Sequence, residues 1–136
     1  MARQSQRINI DRSNAGNYKR VAENFYDGAK VATEYEYWNA AGVLIVHAAI
    51  AYGDTITIKY SGVKSKGEDH QVLVNLIDSV IAKSLVKKSA LQQLTRIIDH
   101  KNAVSYGGNI YEKTDIDQLW KHLERFKSWA EELINE

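Results

Sequence analysis

The sequence predicts an all-α protein, an up-and-down bundle of four or five helices. Three observations carry that prediction. No proline occurs in 136 residues, so nothing forces a helix to break or an amide to lose its donor. Apolar residues recur at intervals of three and four over long stretches, which is the period of one helix face. Where that period lapses, the chain carries the glycine, aspartate and serine residues that cap and turn helices.

Residues 1–13 are polar and read as a flexible N-terminal arm, leaving 14–136 as the bundle domain. From about Asn14 to Trp38, Tyr18, Val21, Ala22, Phe25, Ala29, Ala32 and Tyr35 form one stripe of a first helix. Gly28 lies inside that stripe and costs about 1 kcal/mol relative to alanine, which close packing against a neighbouring helix would explain. Asn39 is placed to cap a second helix, whose residues 40–52 are apolar on nearly every side. The β-branched segment "TITIKY" alternates like a strand, but it has no partner strand and follows the helix without a break. It is therefore read as helix, and "SGVKSKGED" as the loop that follows. Asp69 caps a third helix, His70 to about Lys83. Ser89 caps a fourth with Ala90, Leu94, Ile97 and Ile98 inward and Lys101 at the edge of that face. Gly107-Gly108 ends it, and Thr114 caps a last helix striped by Ile116, Leu119, Leu123, Phe126 and Ala130.

Composition removes several functional classes. Net charge is +1, from 18 basic and 17 acidic residues, so no global field draws the chain to nucleic acid or to an anionic membrane. There is no cysteine, hence no disulfide, thiolate metal site or cysteine nucleophile. The first sixteen residues lack an apolar core, and the longest apolar run, "AAGVLIVHAAIAYG", is short for a membrane span and contains His47. The expected address is the cytoplasm, with no membrane contact. No glycine-rich phosphate loop or nucleophile elbow occurs, and no cofactor is expected.

The histidines, His47, His70, His100 and His122, have no metal-ligand spacing, so no metal site is predicted. His70 follows a capping aspartate, and His122 is assigned to the outer side of the last helix. His47 and Asp54 lie seven residues apart, about two helical turns, so they share a side of the second helix. They read as a polar pocket or interface site with Tyr52, or else as the point where the helix meets the surface. Lys64, Lys66, Lys83, Lys87 and Lys88 flank the third helix and make a modest basic patch if they converge.

The stretch "DHKNAVSYGGNIY", Asp99 to Tyr111, gathers the remaining polar chemistry. With the "DHQVLVNLI" start of the third helix and the closing "FKSWAEELI" helix, it resembles the HEPN domain over about residues 15–135. That resemblance implies a helical homodimer and, in many members, a metal-independent ribonuclease or toxin paired with a small nucleotidyltransferase. The family's signature is an arginine, a polar residue and a histidine a few residues on: a cation for phosphorane-like charge and an imidazole to move a proton. Here Lys101-Asn102 occupies the Arg-Asn place and Tyr106 the histidine place. Lysine lacks the planar fork, and tyrosine titrates near ~10, too high for a base at neutral pH. The resemblance then implies a non-catalytic binding or scaffold module accessory to a nucleotidyltransferase or toxin–antitoxin type partner, with Asn102 bonding backbone or partner and Tyr106 packing its ring. The alternative is a ribonuclease using the shifted group Arg96, His100 and Lys101, which would bind RNA.

Overall fold

The computed structural model describes residues 6–67 and 69–136. The chain runs β1 (Arg7–Asn9), a 3-10 turn (Arg12–Asn14), α1 (Ala15–Glu34), α2 (Trp38–Ser61), β2 (Val63–Ser65), α3 (His70–Val80), α4 (Leu85–Ile98), α5 (Lys101–Ser105) and α6 (Lys113–Ile134). Among the described residues the protein is thus mostly helical, and α2 is its axis: α1, α3, α4, α5 and α6 all pack against it.

The axis follows from composition. Alanine, glycine and β-branched residues cover α2 on every side, and the run Ala51–Ile58 is buried without interruption. The segment 55–60 is helical, as its lack of a strand partner predicts. Small residues let neighbours come close. A Cβ on Gly42 would fall 2.6 Å from Val104 Cγ2 of α5, and one on Gly53 would fall 3.1 Å from Leu73 of α3. Gly28 of α1 faces Leu44 in the same way at 3.4 Å, the close packing its place in the stripe calls for. Leu119, Leu123 and Phe126 of α6 are fully buried against this axis, each contributing about 2–3 kcal/mol. The helix is long and apolar enough to cross a membrane by composition, yet 78% of that window is buried inside the protein. Its length comes from running on through residues 55–61, beyond the apolar run visible in the sequence.

Helix ends are fixed by local chemistry, not always by the residues the sequence singles out. Asp69 caps α3 as expected, its carboxylate accepting from the Gln71 amide at 3.0 Å. α4 begins five residues earlier than a cap at Ser89 would start it. Ser84 is the cap, accepting from the Lys87 amide, and Leu85 and Val86 stay exposed. α6 starts with a reciprocal box between Glu112 and Asp115 instead of a Thr114 cap. Asn39 is no cap either, because Tyr37 holds that position. α3 ends at Val80, short of Lys83.

The fold departs from a purely helical bundle at one place. Gly62, at φ 67°, ends α2 in the left-handed conformation, and the chain then enters β2, within the stretch expected to be loop. β2 pairs antiparallel with β1, Arg7 opposite Ser65 and Asn9 opposite Val63. The Ile10 amide donates to the Gly62 carbonyl beside it. So residues 6–13 of the expected arm form a strand and a capped turn laid against the end of α2, and residues 1–5 lie outside the described residues. A three-residue strand paired across more than fifty residues leaves no periodic trace in sequence.

Candidate functional site

Residues 99–111 are shaped by α2. α4 stops at Ile98, and Asp99-His100 breaks the helix before α5 restarts at Lys101. The expected continuous fourth helix therefore ends before Asn102, and Lys101 opens a new helix instead of edging the old one. α5 is held from below by Val104 over Gly42 and by Asn39. The Asn39 side chain donates to the carbonyls of Val104 (3.0 Å) and Asn109 (2.9 Å) and accepts from the Tyr111 amide (2.9 Å). One side chain of α2 thereby pins both ends of the turn that contains Tyr106 and Gly107-Gly108. Gly108 takes φ 71° to close it.

The fixed turn presents some of the expected residues and scatters others. Tyr106 is 83% exposed, so within the chain its ring is left largely uncovered. Asn102 is exposed. Its backbone carbonyl, accepting from the Tyr106 and Gly107 amides, makes the turn. His100 Nδ1 lies 2.7 Å from the Tyr111 hydroxyl with the rings edge to face, which orients the imidazole.

Two groups of histidines with basic neighbours result. In the first, His122 of α6 bonds through Nδ1 to the Gln93 side chain of α4. Burial lowers its pKa below the usual histidine value, and the nearby charges of Arg96, Arg125, His100 and Lys121 lower it further. Arg96 and His100 thus share one electrostatic neighbourhood, centred on a histidine that the sequence reading had placed on the outer side. In the second, burial lowers His47 and His70, and the Lys101 ammonium adds to both. Beyond burial, Lys101 lowers His47 and His70 by its charge, and Arg96 and His100 lower His122. His47 also packs on Phe25, ring centroids 5.6 Å apart, and His70 Nε2 is buried without a partner. No group of three or more His, Asp or Glu side chains among the described residues is placed to hold a metal.

Asp54 belongs to neither cluster. It is 5% exposed, Oδ1 has no hydrogen-bond partner, and Oδ2 lies 3.9 Å from Lys64 Nζ on β2. Desolvation raises its pKa to about 7, with Lys64 pulling the other way. Asp54 faces Lys64, and its Oδ1 makes no hydrogen bond to His47 or to any other group among the described residues. Tyr52 is wholly buried with its hydroxyl unpartnered, and burial raises its pKa. The lysines divide likewise. Lys64 faces Asp54, and Lys87 is buried at 4% exposure with its ammonium on Asp78 (2.7 Å) and on the Asp78 and Ile81 carbonyls at the end of α3.

Gln93, Tyr111 and His122 are the residues of this region that sequence reasoning missed. Gln93 sits three residues before Arg96 and His122 three before Arg125, spacings that place each pair on one helix face. That was the available signal. Compared with protein-family models, with curated proteins and with solved structures, the chain matches none.

Proposed function

We propose that the protein is a HEPN-like binding or scaffold module without nuclease chemistry, a homodimer that serves as accessory to a nucleotidyltransferase or toxin–antitoxin type partner. One observation carries this reading. The residues at the motif position are not the family's pair: Lys101 and Tyr106 stand in the arginine and histidine places, Asn102 and Tyr106 are exposed, and His100 is tied to Tyr111. A lysine and a tyrosine do not supply the planar fork and the imidazole that this chemistry pairs. Purified protein incubated with single-stranded RNA in a chelator, and sized by light scattering, tests both halves. Intact RNA and a dimer mass support the reading, and metal-free cleavage that His100→Ala abolishes overturns it.

The grouping of Arg96, His100, Lys121, His122 and Arg125 favours a second reading, a metal-independent endoribonuclease. Two imidazoles and a guanidinium would supply base, acid and charge stabilisation, with His122 in the place first given to Lys101. Cleavage lost on His100→Ala, His122→Ala and Arg96→Ala but kept on Lys101→Ala is the pattern this reading requires.

A further inference from the structure

We infer that the groove beside α4 receives an acidic amphipathic helix from a different polypeptide. The inference deepens the binding-module reading by giving that module a docking surface and a ligand class. The groove has a volume of about 850 Å³ and lies between α4 and the end of α3. Its α4 wall runs from Ser84 to Arg96, with Leu85, Lys88, Leu91 and Thr95 recurring at three- and four-residue intervals. That is one face of a helix, three turns and about 18 Å long. An open groove flanked by that length of helix suits a helix of about twelve residues better than a small molecule, which needs burial on most sides. Its floor and edge are apolar. Leu91 is nearly buried, while Leu85 is 87% exposed, a large side chain left in water at the head of the slot.

Charge sets the chemistry of the occupant. Lys83 and Lys88 stand at one end of the slot and Arg96 toward the other, all exposed and without an ion-pair partner among the described residues. The acidic residue of the lining, Asp78, is already held by the buried Lys87. Lys83 also lies within the field of Asp78, yet four cations against one carboxylate leave the rim of the slot positive. A second copy docking antiparallel through the same face would set Lys83 and Lys88 of one copy beside Arg96 of the other, cation against cation, since a twofold interface pairs one end of the face with the other. An incoming helix with leucine-type side chains on one stripe and aspartate or glutamate on either side satisfies both the apolar floor and the rim.

The test uses the full chain and a fluorescein-labelled helical peptide of about fourteen residues. The peptide carries leucines at i, i+4, i+7 and i+11 with flanking glutamates, and a second peptide carries lysines in place of the glutamates. Fluorescence anisotropy is expected to show saturable binding of the glutamate peptide and none of the lysine peptide. The double variant Lys83→Glu/Lys88→Glu changes exposed side chains only, and its fold is checked by circular dichroism. It is expected to lose at least about tenfold in affinity for the glutamate peptide and to gain binding of the lysine peptide. Leu85→Ser is expected to weaken binding without altering the charge preference. Equal binding of both peptides, no saturable binding, binding indifferent to the charge reversal, or a homodimer that the double variant dissociates would each overturn the inference. A protein that cuts RNA yet still binds the acidic peptide would defeat the non-catalytic reading and leave this one standing. A protein inert toward RNA that ignores the peptide does the reverse.

Discussion

Replacing Asp54 by asparagine should make the protein more stable at neutral pH. Asp54 is buried, its Oδ1 has no partner, and its folded pKa is raised from 3.8 to about 7. A raised carboxyl pKa means that the folded state holds a proton the unfolded state has released. Stability contributed by Asp54 is therefore full below the unfolded value, falls as pH rises through about 4 to 7, and is flat above. Roughly three units correspond to about 4 kcal/mol as a ceiling. Asparagine keeps the shape and removes the charge, but its amide hydrogens need partners at a cost of about 1–2 kcal/mol. Lys64 also loses its partner, but at 3.9 Å that contact is at the limit of an ion pair and contributes little. The net expectation for Asp54→Asn is a gain of about 1–3 kcal/mol at pH 8, or about 3–9 °C in Tm for a chain of this size. Urea unfolding of both proteins between pH 5 and pH 9 reads this directly. The stability difference should grow with pH up to about 7 and then level off. His47, His70 and His122, whose lowered pKa values make acid destabilising below about 6.5, cancel in the comparison. A difference that stays constant with pH, or a variant weaker than the parent at pH 8, would show that the carboxylate is ionised and well served, and the reasoning would fail.

Three further expectations concern the frame around the candidate site. Asn39→Ala removes three hydrogen bonds that hold α5 and the turn after it, and should cost about 2–4 kcal/mol. Amide exchange over residues 101–111 should quicken more than elsewhere. Gly42→Ala drives a methyl to 2.6 Å from Val104, a stiff side chain, and should destabilise by about 1–3 kcal/mol, with Val104→Ala in the same chain restoring part of the loss. Lys59→Met takes away the ammonium that binds the carbonyls of Leu133 and Ile134 at 2.8 Å. It should cost about 1 kcal/mol and show as exchange confined to the last turn of α6.

What the sequence disclosed was local. The stripes of α1 and α6, the Asp69 cap and the helical state of residues 55–60 depend on neighbours within one or two turns. Misplacing the start of α4 has the same origin. Leu85 and Val86 do not belong to the buried stripe, so they read as connector, while Lys87, which does turn inward, reads as surface charge. Its burial is set by Asp78 and the open carbonyls of α3, which no window around Lys87 contains. Asn39 has the residue type of a cap, and its actual partners lie 65 to 72 positions away. The cluster around His122 was hidden because a histidine on a polar flank looks solvated until the opposite helix is in place. Tyr106 is exposed within the chain because the turn that carries it is closed by Asn39 and Gly108, and no window around Tyr106 contains Asn39.

The arrangement of α2 sets an order on biosynthesis. Its apolar surface leaves the ribosome after α1, yet one flank is closed by α6, whose residues begin some fifty positions later. At about 5–20 residues per second that flank of the rod waits several seconds for α6. Through that interval the nascent chain displays a segment that a translocation or chaperone receptor would treat as lipid-seeking, so newly made protein should lean on chaperones far more than a refolding experiment would suggest.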